Sequence, residues 1–259
     1  MEKSEAYDEG LGTVYERFIL NQILKRIKSD FGITSVLEVP HYGMTGVEGL
    51  NSVVLAAEGC DVTVVDWDEG RLATVRSVWK ELKLSHKLSV RKVVDYGSLP
   101  FADRSYDLAW NFAALWHVKN GFALVEEMCR VASKTVFICV PNRIQPGYLV
   151  RKMVDRRFFK AVDEKFIDLQ AIKSRLIKNG LRIVEEGFFD IPPWPDTCLP
   201  IKKVTGAKRG WNWSIIDYYK GRDPELERKV GRYAFMENTP LPKALQSLWA
   251  HHRYVIARK

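Results

Sequence analysis

Leu55-Ala-Ala-Glu-Gly-Cys-Asp-Val-Thr-Val-Val-Asp66 is the stretch on which the fold turns. Its first half closes a short helix carrying Val53, Val54 and Ala57, with Gly59 as the stop. Its second half, residues 61–66, is an apolar run that ends on an acid. A run with so little polar alternation reads as a strand covered on both faces. Two more runs follow the same rule: Ser-Val-Leu-Glu-Val at 35–39 carries Glu38, and Leu-Ser-Val-Arg-Lys-Val-Val-Asp at 88–95 ends in Asp95. Open parallel sheets bind ligands in the crevice outside the carboxyl ends of their strands. Acids at three strand ends therefore predict a binding edge. A carboxylate ending the second strand can accept both hydroxyls of a ribose, so an adenosine-containing cofactor is expected, and an enzyme rather than a scaffold.

Outward from this unit the alternation continues. Val14, Phe18, Ile19, Ile23, Leu24 and Ile27 make one apolar stripe on an opening helix at 14–27. A helix is predicted at 71–82, a fourth strand at 106–111, a helix at 121–131 and an apolar fifth strand at 135–140. A last helix at 168–178, stopped by Asn179-Gly180, leads into a strand at 181–189, and His252-Arg-Tyr-Val-Ile-Ala-Arg alternates as the final strand. This β-α alternation predicts an α/β fold, a doubly wound and mostly parallel sheet with helices on both faces. Three parts follow: a core at 1–190, an insert at 191–250, and the closing core strand at 251–259.

A chain of 259 residues is long enough for one elaborated domain with a full core. No apolar stretch approaches the roughly 20 residues that cross a bilayer. The polar, acidic start Met-Glu-Lys-Ser-Glu-Ala-Tyr-Asp-Glu does not read as a signal peptide, so a cytoplasmic protein is expected. Cys60, Cys129, Cys139 and Cys198 show no paired spacing, and no metal site or disulfide framework is predicted. The formal charge of +8 is uneven: residues 192–259 hold thirteen Lys/Arg against six Asp/Glu. An anionic partner is expected at the C-terminal quarter.

Between the first strand and its helix lies His41-Tyr-Gly-Met-Thr-Gly-Val-Glu-Gly, with Gly43, Gly46 and Gly49 spaced by three. Glycines let a backbone approach a ligand, and the helix start beyond can take polar groups. The same loop could be only a flexible helix entry. Asp66 follows by roughly twenty residues, the separation of a ribose-binding acid from its glycine loop. Trp67 either lays its face on an adenine ring or packs against the next helix.

Asp95-Tyr-Gly-Ser-Leu-Pro-Phe-Ala-Asp-Arg-Ser-Tyr-Asp-Leu-Ala-Trp-Asn111 then opens the fourth strand. Here the chain resembles the class I S-adenosylmethionine-dependent methyltransferases, in particular the small-molecule group that includes the ubiquinone/menaquinone C-methyltransferases. Asp95, Leu99, Pro100, Phe101, Ser105, Tyr106 and Asp107 keep that group's register. Residues 55–68 resemble its second motif, and Asn111-Phe-Ala-Ala-Leu-Trp-His-Val its segment after strand four. The resemblance covers about residues 11–142 and the last two strands in outline. It implies a seven-stranded Rossmann-like sheet whose final two strands are antiparallel, with S-adenosyl-L-methionine as cofactor. It places Glu38 near the methionine amino group, Asp66 on the ribose hydroxyls, and Asp95 with Tyr96 and Trp67 around the adenine. Gly43, Gly46 and Asn111 line the methionine tail. Tyr15 either folds over the cofactor or packs on the sheet. One departure is clear: Pro40 and Tyr42 stand where the group has glycines, so the loop takes another path.

Methyl transfer from a sulfonium is an in-line displacement, and the protein's task is to align donor and acceptor. Where the acceptor arrives protonated a base is needed, and His117 is the candidate, with His41 behind it. His117 could equally be a capping residue. The insert carries Trp194, Trp211, Trp213 and Trp249 among Lys202, Lys203, Lys208, Arg209, Lys220 and Arg222. That mixture suits a small, anionic or partly apolar acceptor. RNA is the rival partner, although no RNA-binding module is visible. A non-catalytic binding protein on the same fold is the rival of another class, and a nicotinamide-dependent oxidoreductase lacks its glycine fingerprint.

Overall fold

The structure is a computed structural model and describes residues 11–42, 47–192, 214–240 and 242–259. Strands β1 (Ser35–Glu38), β2 (Asp61–Asp66), β3 (Leu88–Lys92), β4 (Tyr106–Phe112), β5 (Ala132–Pro141), β6 (Arg182–Phe189) and β7 (His252–Arg258) make one sheet. Its order is β3-β2-β1-β4-β5-β7-β6. β1 to β5 pair in parallel, and β7 lies antiparallel between β5 and β6. This is the doubly wound, mostly parallel sheet with an antiparallel final pair that the sequence led us to expect.

Alternation along each strand splits the core into two layers. Val36, Val62, Val64, Leu108, Trp110 and Phe137 face α1 (Leu11–Phe31), α2 (Val53–Ala57) and α3 (Glu69–Glu81). Leu37, Val65, Ala109, Val136 and Ile138 face α4 (Gly121–Val131) and α7 (Leu169–Lys178). Between β5 and α7 run α5 (Pro146–Val154) and α6 (Arg156–Ala161), which sequence periodicity did not reveal. Pro146 sits in the first turn of α5 and the Gln145 side chain accepts from Tyr148 N at 2.6 Å, a start that needs no long apolar stripe. Helices α8 (Ile215–Tyr219) and α9 (Leu226–Gly231) lay Ile215, Leu226 and Val230 on the α1 layer; α10 (Phe235–Asn238) and α11 (Lys243–Trp249) lead back to β7.

Two boundaries differ from expectation. β3 stops at Lys92; Val93 N still donates to Asp66 O at 3.0 Å, and the chain then curls away, leaving Asp95 exposed in a turn. β5 begins at Ala132 directly from α4, three residues before the strand expected at 135–140.

The motif acids divide between the two ends of the sheet. Asp107 sits at the amino end of β4, where its carboxylate accepts from Thr34 N (2.9 Å), Thr34 Oγ1 (2.8 Å) and Ser133 Oγ (3.1 Å) and meets Lys134 Nζ at 3.1 Å. It ties β1, β4 and β5 together. Burial opposes the charge, but the bonds from Thr34 and the Lys134 ammonium outweigh it and bring the carboxyl down to about 2. Asp107→Ala should lower stability by about 2–3 kcal/mol at neutral pH, because charged hydrogen bonds are lost. A carboxyl held below its unfolded value stabilises above that value and ceases to as pH falls through the folded one. The gap between wild type and variant in urea unfolding should therefore close as pH drops from about 4 to about 2.

Candidate active site

At the carboxyl edge of β1 the chain makes a cis Val39–Pro40 bond, and His41 N donates to Val65 O at 2.8 Å. The loop therefore rejoins β2 instead of running out toward solvent. Glu38, only 1% exposed, is its anchor. His41 Nε2 accepts from Gly49 N at 3.0 Å, so its proton lies on Nδ1, which faces Glu38 Oε1 at 2.6 Å. Asn51 Nδ2 donates to the same oxygen at 2.8 Å and Ser52 Oγ to Oε2 at 2.5 Å. Asn51 is held in turn by Arg17 at 3.2 Å, and Trp110 Nε1 donates to Ser52 Oγ at 3.1 Å. Gly49 has φ +88°, and a Cβ there would lie 3.0 Å from Val75 Cα, so only glycine lets the loop sit this close to α3. Glu38 and His41 thus hold the loop's shape. Gly43 and Gly46 lie outside the described residues.

Asp66 has no exposed surface. Its Oδ1 accepts from Asp68 N (2.8 Å) and from Arg71 Nη2 (2.6 Å) and Nε (3.1 Å). Asp68 caps α3 by accepting from Arg71 N at 2.9 Å, which fixes Arg71 in the first helical turn and sends its side chain back over the strand end. The guanidinium lies 4.6 Å from the Tyr42 ring centroid and 4.4 Å from that of Trp67. Trp67 in turn meets the Tyr96 ring edge-on at 6.1 Å. Sequence reading missed Arg71; the signal was a cation five residues after the acid, one helical turn beyond a cap.

The Leu99-Pro100-Phe101 turn is organised by Arg130, whose guanidinium donates to Phe101 O (2.8 Å) and Leu99 O (3.0 Å) while pairing with Glu127 at 2.7 Å. Glu127 also accepts from Leu99 N at 2.7 Å. Asp95 caps the start of this stretch by accepting from Gly97 N at 2.8 Å.

His117 stands in the short turn Leu115–His117 after β4. A Cβ on Gly121 would lie 2.8 Å from both Leu115 O and the Phe166 ring, so α4 can press against this turn only because residue 121 is glycine. The His117 ring contacts Tyr42 (4.4 Å), Trp116 (5.5 Å) and Phe158 (5.8 Å). Burial, then the Arg71 and Arg151 charges, lower its pKa to about 4. Tyr42 therefore joins the Asp66 and His117 neighbourhoods. Asn111, at the end of β4, is fully buried with its Nδ2 toward Met128 Sδ at 3.6 Å.

Toward β7 a second polar group forms. Glu16, Asp190 and His252 bring ligand-type atoms within 4.8 Å of one another. His252 Nε2 contacts Glu16 Oε1, and its ring packs on Phe112 (4.8 Å) and Phe189 (5.2 Å). Tyr15 is buried in α1 and donates to Glu237 at 2.9 Å. Among the insert residues singled out, Trp194, Trp211, Trp213, Lys202, Lys203, Lys208 and Arg209 lie outside the described residues; Trp249 is exposed on α11, and Lys220 pairs with Glu81.

Whether a nucleoside fits can be judged from unsatisfied atoms, because buried polar groups require partners. Asp66 Oδ2, Asn111 Oδ1 and the Tyr96 hydroxyl are buried at this edge without a hydrogen-bond partner. Two acceptors and a hydroxyl suit a ligand rich in hydroxyl and amino donors, as S-adenosylmethionine is. The residues fit, with Arg71 as an occupant that shares Asp66.

Comparison with known proteins agrees. Residues 44–140 match the methyltransferase domain family. No curated protein sequence matches the chain. Among solved structures, the magnesium protoporphyrin IX methyltransferase from Synechocystis PCC 6803 with bound SAH superposes with TM-score 0.56 at 13% identity, over 95% of this chain and 84% of that one. A SAM-dependent methyltransferase from Archaeoglobus fulgidus gives 0.54 at 18%, over 94% of each chain. The [4+2]-cyclase SpnF gives 0.54 at 15%, over 92% and 81%. At such identities the likeness is one of fold. Sheet order and the matched span agree: the chain has the Rossmann-like methyltransferase fold and carries a methyltransferase domain at residues 44–140.

Proposed function

We propose that the methyl acceptor is a small molecule, anionic and partly apolar, received beside His117. The observation that carries this is the setting of His117: an aromatic enclosure of Tyr42, Trp116 and Phe158, with Arg71 and Arg151 near enough to depress its pKa. Aromatic walls suit an apolar body, and two guanidinium groups suit a carboxylate or phosphate. When bound, S-adenosylmethionine supplies an electrophilic methyl on a sulfonium. Asp66 Oδ2 would accept from a ribose hydroxyl, and Trp67, Tyr96 and Asp95 would border the adenine. Asn111, Gly43 and Gly46 would border the methionine end, and Glu38 would act by keeping the loop in place. His117 would take the acceptor's proton where one must leave. In this reading residues 1–190 and 251–259 are the cofactor core, and 191–250 cover the acceptor side.

Calorimetric titration with S-adenosylhomocysteine tests the cofactor assignments. Asp66→Ala should weaken binding at least about tenfold, the loss of a charged hydrogen bond. Arg71→Leu should tighten it by roughly tenfold, since it frees Asp66 Oδ1 and uncovers the Tyr42 and Trp67 rings. Weaker binding by Arg71→Leu would make the guanidinium a ligand contact instead.

The depressed His117 pKa has its own consequence. Between pH 6.5 and about 4 the unfolded chain binds a proton that the folded chain refuses, so stability falls as pH drops through that window. His117→Phe should remove up to about 3 kcal/mol of this acid sensitivity, measured as a flatter dependence of Tm on pH.

Acceptor charge is tested by release of S-adenosylhomocysteine with matched aromatic carboxylates, amides and amines. Carboxylates should be preferred, and Arg151→Ala should raise their KM about tenfold with kcat little changed. Turnover confined to the amines would defeat the proposal.

A further inference from the structure

Twelve large apolar side chains are exposed among the described residues, and eight of them lie on two neighbouring segments. Ile144, Leu149, Val150, Met153 and Val154 belong to the stretch entering and forming α5; Val154 is 76% exposed and Met153 66%. Leu245, Leu248 and Trp249 belong to α11. The segments are joined by Asn142, whose Nδ2 donates to Ser247 O (2.7 Å) and Ala250 O (2.8 Å). Positions 149, 150, 153 and 154, like 245, 248 and 249, follow helical spacing, so each helix turns one apolar face outward. Both segments stand at the end of the sheet where β5 finishes and β7 begins, since Pro141 pairs with His252.

Within residues 143–160 the charges have nearly one sign. Residues 143–160 contain Arg143, Arg151, Lys152, Arg156, Arg157 and Lys160 against a single acid, Asp155, which is occupied in capping Phe158 N at 3.2 Å. Lys152 pairs with Glu164 at 2.5 Å and Arg143 with Asp168 at 3.6 Å; Arg156, Arg157 and Lys160 stand exposed on α6. No helix among the described residues is long and apolar enough to cross a membrane. Short helices with an apolar face and a basic border lie in the plane of a bilayer surface, apolar side chains among the acyl chains and cations at anionic headgroups.

We infer that α5, α6 and α11 form a docking surface for an anionic lipid bilayer, which would present the Phe158–His117 side of the active site to that surface. Charge complementarity selects this occupant: an apolar patch followed on α6 by Arg156, Arg157 and Lys160 matches anionic headgroups over acyl chains. The inference goes beyond the methyl-transfer reading and does not require it, because lipid binding is measured without cofactor or acceptor.

The test is co-sedimentation of the full chain with vesicles of phosphatidylcholine mixed with phosphatidylglycerol, and with pure phosphatidylcholine. Binding should favour the anionic vesicles and weaken as salt is raised. The double variant Val150→Asp, Met153→Asp should lose about tenfold or more in affinity, and Arg156→Ala, Arg157→Ala a comparable amount, about fivefold per cation. Ile177→Asp, an exposed apolar site on α7, should bind as wild type does, and circular dichroism of each variant controls for folding. Failure of the wild type to bind anionic vesicles at low salt would overturn the inference. So would light scattering that showed a dimer broken by Val150→Asp, Met153→Asp, for the face would then join two copies of the chain.

Discussion

A carboxylate taken out of water must be met by donors, and Glu38 imposes that requirement at the centre of the sheet's binding edge. Its two oxygens receive His41, Asn51 and Ser52, all from the loop that follows β1. Each of those residues is then obliged to a further partner: His41 to Gly49 N, Asn51 to Arg17 of α1, Ser52 to Trp110 of β4. One buried charge thereby fixes the position of the loop against two strands and two helices. Removal of a single donor would leave part of that charge unsatisfied, at a cost of about 1–3 kcal/mol.

Asp66 answers the same requirement differently. It borrows one cation, Arg71, for one oxygen and leaves the other unsatisfied. On the proposed assignment of Asp66 to the ribose, this arrangement makes cofactor binding an exchange rather than a simple addition. A guanidinium lying over two adjoining aromatic rings is held by about 1 kcal/mol from each, beyond its pairing with the carboxylate. A ligand that displaces it must exceed that sum, and one that leaves it in place has only Oδ2 to use. Either route makes the α3 cap at Asp68 part of the binding equilibrium, because that cap is what aims Arg71 at the strand end.

Much of this edge was legible in the chain. Apolar runs ending in acids located β1 and β2, and the Leu-Pro-Phe segment located the turn that Arg130 holds. Alternation is a strong signal where strands are buried on both faces. β3 was overextended because Val93 and Val94 continue the apolar run after the ladder has ended; nothing in composition marks the point at which the chain curls away. α5 and α6 were invisible for the opposite reason. Most apolar residues of α5 face outward and α6 is a short helix of six residues, so periodicity had no long buried stripe to report, and only Pro146 and the Gln145 cap announced a helix. Arg71 on Asp66 depends on a side-chain direction that its spacing only hints at, and Glu16 with His252 joins elements more than two hundred residues apart, which spacing does not encode.

Trp67 stands with Arg71 over its face and the Tyr96 ring edge-on beside it. Indole emission depends on the charge and polarity pressed against the ring, and a guanidinium 4.4 Å from its centroid is a strong local perturbation. The chain therefore carries an optical probe beside Asp66, the acid proposed for the ribose. The fluorescence of Trp67, isolated as the difference between wild type and Trp67→Phe, follows the guanidinium as it stays or departs, and so gives the rate of site opening without any label.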